Sequence, residues 1–86
     1  MVSRRISPYI ADMLHERISI DPAVMVGKAV VRGTRITVEH ILRETANGMT
    51  AEEIADHYPS VTPQDVKAAL IYAADVMRAQ AGVAAE

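Results

Sequence analysis

The sequence has no cysteine, no tryptophan and no phenylalanine, and its aromatic residues are Tyr9, Tyr58 and Tyr72. The first absence excludes disulfide bonds and thiolate chemistry. With aromatic rings this scarce, Ala, Val and Ile must supply much of the core, so helices should pack closely. A large surplus of either charge is also missing: nine basic residues stand against eleven acidic ones, a net charge of -2 at pH 7. No run approaches the length of a membrane span. Arg4, Arg5 and Asp12 interrupt the opening where a signal peptide needs an apolar stretch. The expectation is a cytoplasmic protein with no membrane association. His15, His40 and His57 lie 25 and 17 residues apart, so no pair has helix-turn ligand spacing, and neither metal nor cofactor is expected.

What is present amounts to one small domain of 86 residues. A chain of this mass buries roughly 60–65% of its unfolded surface, a thin margin for a core built of light side chains. Burial against a partner, with a homodimer as the simplest case, is therefore expected. The charge is unevenly placed. Residues 1–35 carry six basic and three acidic residues, and the remainder carries three basic and eight acidic, giving halves of +3 and -5. A strong grip on nucleic acid needs clustered Lys or Arg, which only the first half supplies. An acidic protein partner is the other use of such a patch.

The pattern predicts an arm, a ribbon and three helices. Residues 1–17 form an N-terminal arm, bent at Pro8, that a partner would order. Ile18–Ile20 alternates apolar and polar and stops at the Asp21-Pro22 turn signal. Ala23–Val26 is an apolar approach to Gly27, and Ala29–Val31 is a second β-prone run closed by Gly33. Thr37 caps a helix whose apolar positions are Val38, Ile41 and Leu42 and which stops at Gly48. Thr50 and Glu53 make a capping box for a short helix, ended by Pro59. Thr62, with proline at the following position and an acid beyond it, starts the longest helix, about Pro63–Ala79. Its stripe is Val66, Ala69, Leu70, Ala73 and Met77, and residues 80–86 are read as a frayed tail. The fold class is thus mainly α: a small N-terminal β-ribbon followed by a trihelical, helix-turn-helix-like core over residues 18–79.

An enzyme is not expected. Glu52 and Glu53 point about 100° apart on a helix and make no natural pair. Glu53 and His57, like His40 and Glu44, are spaced for local surface ion pairs. No serine or threonine stands beside a His–acid pair, and Gly27-Lys28 lacks the loop of a phosphate cradle. No catalytic residue is assigned. For DNA, Gln64 and Lys67 are the outward residues of the second helix of the helix-turn-helix, with Ala68 beside them. Asp65 there, and Glu52, Glu53 and Asp56 on the preceding helix, oppose phosphate. Arg4 and Arg5 of the arm are the other DNA candidates.

Gly27–Thr37 is the most informative segment. Gly33 permits a sharp turn with positive φ, and Thr34 can bond its own backbone to fix that turn. Arg32 and Arg35 would then stand close together as guanidinium forks, suited to carboxylates or phosphates. The plainer alternative ties one of them to Glu39, Glu44 or a C-terminal carbonyl. Lys28 and Arg32 flank the second run.

Several strings carry a resemblance: Ile20-Asp21-Pro22; Gly27 through Val38; Gly48 through Ile54; Tyr58-Pro59; Thr62 through Val66; and Ala68 through Ala73. Together they resemble the domain-of-unknown-function 433 family, a homeodomain-like group related to VapB-type antitoxins. The likeness covers about Ile18 to Met77. It departs at Met25-Val26, where the family has a small residue or cysteine before a glycine. The resemblance implies an antitoxin of a type II toxin–antitoxin pair that binds and inhibits a PIN-like ribonuclease toxin, with Lys28, Arg32 and Arg35 as toxin-binding candidates against that toxin's carboxylates. The alternative it implies is a transcriptional regulator that binds operator DNA of its own operon.

Overall fold

The fold is taken from a computed structural model that describes residues 16–85, with side chains through Gln80. Strands β1 (Ile18–Ile20) and β2 (Ala29–Val31) pair antiparallel, with Ile18 opposite Val31 and Ile20 opposite Ala29. Three helices follow: α1 (Val38–Ala46), α2 (Ala51–His57) and α3 (Pro63–Ala85). A two-stranded ribbon is marginal alone. This one lies on the helices, and an isolated bridge between Val30 and Thr37 lays the entry to α1 alongside β2. The core joins Ile18 and Val31 of the ribbon to Val38 and Ile41, to Ile54, and to Val61, Val66, Ala68 and Ala69. Ala68 and Ala69 are fully buried, which lets α3 pack closely on its neighbours. The expectation that Ala68 faces outward is thereby corrected.

Each helix starts where a threonine satisfies a free backbone N–H. The Thr37 hydroxyl accepts from the His40 amide at 3.0 Å. Thr50 accepts from the Glu53 amide at 3.1 Å while the Glu53 carboxylate accepts from the Thr50 amide at 2.8 Å. The start of α3 repeats that reciprocal arrangement with aspartate: the Asp65 amide donates to the Thr62 hydroxyl at 3.1 Å, and the Thr62 amide donates to Asp65 Oδ2 at 2.9 Å. The other oxygen, Asp65 Oδ1, accepts from Arg17 Nη1 at 3.0 Å. Asp65 is only 8% exposed. It is not the solvent-facing acid that the sequence reading set against phosphate.

Two further departures have local causes. Helix α3 continues to Ala85 rather than ending near Ala79, because Ala79, Ala81, Ala84 and Ala85 are the strongest helix formers and outweigh Gly82. Met77, read as part of the core stripe, is 67% exposed, since α3 has by then passed beyond the elements it packs on. Between the strands, Met25, Val26 and Gly27 take φ values of 49°, 56° and 82°. Left-handed backbone at a β-branched residue is strained by about 1–3 kcal/mol, and the Val26 side chain gains no burial in return, being 88% exposed. The arm, including Arg4 and Arg5, falls outside the described residues up to His15.

Replacing Asp65 by Ala removes a cap and strands a paired arginine. The expected loss is about 2–4 kcal/mol in urea unfolding. Arg17→Ala, which deletes the more exposed partner, is expected to cost about 1 kcal/mol, because Thr62 still binds Asp65. Equal losses would show that the two bonds to Asp65 do not act separately.

Candidate functional site

The turn after β2 is held from several directions. Val31 O accepts from the Thr34 amide at 2.9 Å and from its hydroxyl at 2.8 Å, and that hydroxyl accepts from the Ile36 amide at 2.9 Å. Gly33 sits at φ 84° with nothing within 4 Å of where a Cβ would stand. Its backbone conformation, not crowding, is what calls for glycine. The antiparallel register sets Arg32 against Arg17, and the Arg32 amide donates to Arg17 O at 2.7 Å. Its side chain then reaches across β1: Nε donates to Glu16 O and Nη2 to Ile18 O at 3.1 Å. Arg32 therefore does tie the ribbon together, but through carbonyls at the start of β1 and not through Glu39, Glu44 or a C-terminal carbonyl. Arg35 is exposed. Among the described residues it has no hydrogen bond or ion pair.

Lys28 stands apart from this pair. It precedes β2 while Arg32 follows it, a separation of about 13 Å along an extended strand. Its Nζ lies 3.5 Å from Glu39 Oε1, and Glu39 also takes Arg43 Nη2 at 3.1 Å. The Arg43 hydrogen bond and the Lys28 charge hold the Glu39 carboxyl below the usual carboxylate range. The three residues proposed as one basic contact are thus divided between the two ends of a strand.

Gln64 and Lys67 are both exposed on the first turns of α3. Asp65 between them turns inward to Thr62 and Arg17, so the phosphate repulsion expected at this position is removed. Lys67 lies two residues on, about 200° around the helix from Asp65. The acids Glu52, Glu53 and Asp56 of α2 remain exposed.

One polar cluster was visible in the sequence only in part. His40 Nε2 lies 2.7 Å from Tyr58 Oη and 3.2 Å from Glu44 Oε2, and Tyr58 Oη donates to Glu44 Oε2 at 3.2 Å. The spacing of His40 and Glu44 marked them as a local pair. Tyr58 joins them from the C-cap of α2, a contact no local pattern encodes. The cluster fastens α2 to α1. Burial raises the Tyr58 pKa above its ordinary value, and the neighbouring Glu44 carboxylate adds to the effect by charge and hydrogen bond. Among the described residues no three His, Cys, Asp or Glu side chains are grouped to hold a metal.

One concavity is an apolar groove of about 350 Å³ between the start of β2, α1 and α3. Ala29, Val38, Leu42, Tyr72, Val76 and Met77 form its walls, with Lys28 and Glu39 on the rim. A second, more polar hollow lies between Met49, Glu53, Asp56 and His57, where Glu53 is already engaged in its cap.

A family described as "Protein of unknown function (DUF433)" matches residues 18–73. The chain is also similar to a DUF433 member protein from Anabaena variabilis ATCC 29413, known from a crystal structure at 2.00 Å resolution. The two are 32% identical with a TM-score of 0.62, over 83% of this chain and 69% of that one. No protein of curated description matches the chain.

The cluster makes a titration prediction. Phenolate absorbance of Tyr58 should appear above the ordinary tyrosine value of about 10, and Glu44→Gln should bring it part of the way back. The shift is upward in the folded state, so the associated stability is complete below the unfolded tyrosine pKa and is lost as pH rises through the raised value. An unshifted Tyr58 signal in wild type would show that burial and Glu44 do not act on it.

Proposed function

The chain belongs to the DUF433 family, a family of unknown function, and from that membership we propose that it is an antitoxin of a type II pair that binds and occludes a PIN-like ribonuclease toxin. The observation that carries this reading is the arginine turn. Gly33, the Thr34 hydroxyl and the two Arg32-to-carbonyl bonds fix the backbone on which Arg35 is presented. A pre-formed basic point with no partner among the described residues loses little freedom when it meets a carboxylate. The partner class follows from the resemblance of the Gly27–Val38 string, and a nuclease whose active site is a carboxylate cluster presents the complementary charge. Arg35 is the docking residue in this reading. Arg32 positions it, and Lys28 contacts the partner only if the interface spans both ends of β2.

A second reading rests on its own observation. With the Asp65 carboxylate turned inward, Gln64 and Lys67 are left exposed on the helix that would read the major groove. The same protein would then bind its own promoter. The acids of α2 oppose that docking, so operator binding ranks second.

The test uses the full chain, the protein encoded beside its gene and the shared promoter. Titration calorimetry of Arg35→Glu should show affinity for that protein weakened about tenfold, or about 1.4 kcal/mol, with an unchanged melting temperature. Arg32→Glu is a poor probe because it breaks the β1 clip. Lys67→Glu should leave protein binding intact and abolish any retention of promoter DNA. Full affinity in Arg35→Glu would sink the docking assignment, and no binding by wild type would sink the antitoxin reading.

A further inference from the structure

Three donor atoms converge where the C-cap of α2 meets α1. His40 Nε2 lies 2.7 Å from Tyr58 Oη and 3.2 Å from Glu44 Oε2, and Tyr58 Oη lies 3.2 Å from the same carboxylate oxygen. Hydrogen bonds account for two sides of this triangle. The Tyr58 hydroxyl donates its proton to Glu44, so the Nε2 proton is the one that bridges to Oη. No proton remains for the third side, between His40 and Glu44, yet it is as short as the second. A hydrogen-bonded chain needs only two close pairs, whereas three atoms that are mutually close share one centre.

We propose that this triangle is one face of a Zn²⁺ site, with His40 Nε2, Glu44 Oε2 and Tyr58 Oη as its three protein ligands. Zinc bonds to nitrogen and oxygen of about 2.0–2.1 Å set neighbouring ligands of a tetrahedron about 3.3 Å apart. The two 3.2 Å sides already match that spacing, and the side between His40 and Tyr58 has to open by about half an ångström. His40 and Glu44 stand four apart on α1, the spacing that puts two ligands on one helix face. Among the described residues no third His or carboxylate completes the set; the tyrosine does. One imidazole nitrogen with two oxygens suits Zn²⁺ better than Mg²⁺ or Ca²⁺, which take oxygen. The His40 and Glu44 side chains are 43% and 22% exposed, so the ion can enter from solvent and water can take the remaining position. On binding, the imidazole proton relocates to Nδ1 by exchange with water, which frees the Nε2 lone pair, and the phenol proton leaves to solvent. The carboxylate and the phenolate then balance the two charges of the ion. None of the three ligands belongs to the arginine turn or the Gln64–Lys67 face, so this site does not depend on the partner proposed above.

Titration of the full chain with zinc chloride at neutral pH tests the site, read by calorimetry, by ultraviolet absorbance and by the melting temperature. Saturable uptake of one Zn²⁺ per chain is expected, with a higher melting temperature because the ion clamps α2 to α1. A tyrosine without a metal is un-ionised at this pH, so phenolate absorbance that grows with the ion and saturates at one tyrosine per chain reports Tyr58 as a ligand. Magnesium chloride should produce none of it. His40→Gln and Tyr58→Phe should each weaken Zn²⁺ binding about tenfold or more, and Tyr58→Phe should abolish the phenolate signal. His57→Gln, which alters the exposed histidine beside Tyr58, should change nothing. The phenolate signal belongs to the unmodified chain, so the test survives a variant that fails to fold. Three results would each overturn the proposal: no saturable uptake by the unmodified chain, uptake without phenolate, or affinity retained in both His40→Gln and Tyr58→Phe.

Discussion

The carboxylate of Asp65 is the point on which the arrangement depends. A charge so far removed from water is expensive unless it is paired and hydrogen-bonded, and here both oxygens are engaged, one by the Thr62 amide and one by Arg17. The first bond starts α3. The second pins the beginning of β1 to that start, across 48 residues of sequence. With β1 fixed, the carbonyls of Glu16 and Ile18 stand where the Arg32 guanidinium reaches them. With Arg32 fixed, the turn at Gly33 and the placement of Arg35 follow. The presentation of one exposed arginine is thus set through a buried aspartate at the start of α3.

The parts legible in the sequence are those whose cause is local. Thr37, Thr50 and Thr62 each announce a helix because capping is decided within four residues, and Gly33 announces a turn because only its own φ is in question. Both strands and their boundaries were readable from alternation and flanking turn signals. The illegible parts are contacts between distant segments. Arg17 with Asp65, Arg32 with the β1 carbonyls, and Tyr58 with His40 leave no periodicity to read. Asp65 is instructive, since Thr62 and Asp65 stand at the same spacing as Thr50 and Glu53 and perform the same reciprocal bonding. An aspartate at that position reads equally well as an exposed acid favoured by the helix dipole, and only the arrival of Arg17 decides its direction. Met25 and Val26 were illegible for the opposite reason: their own preferences argue against the left-handed backbone they adopt.

The burial pattern along α3 explains how one helix serves a core and still leaves apolar surface outside it. Val66, Ala68 and Ala69 are sealed in the first turns. From Leu70 to Val76 the side chains are only partly covered, apart from the exposed Ala74, and at Met77 the wall opens. A helix is rigid along its length, so its later turns must run on past the small ribbon and the short α1 and α2 that cover its beginning. The groove is a consequence of matching a 23-residue helix to elements of nine and seven residues.

The distribution of partners changes the meaning of the basic front half. Its surplus of +3 suggested a positive surface. Of the four basic residues there that the structure describes, Arg17 is bound to Asp65, Lys28 to Glu39, and Arg32 to backbone carbonyls. Arg35 alone among these four is left to act outward. A surface of this kind does not hold a polyanion through many loose contacts, since that grip grows with the number of phosphates neutralised. Among the described residues it offers a single oriented cation, so in the proposed complex the rest of the affinity would come from shape and apolar area. That division suits recognition of a folded partner, where a fixed charge selects the docking site and burial holds it.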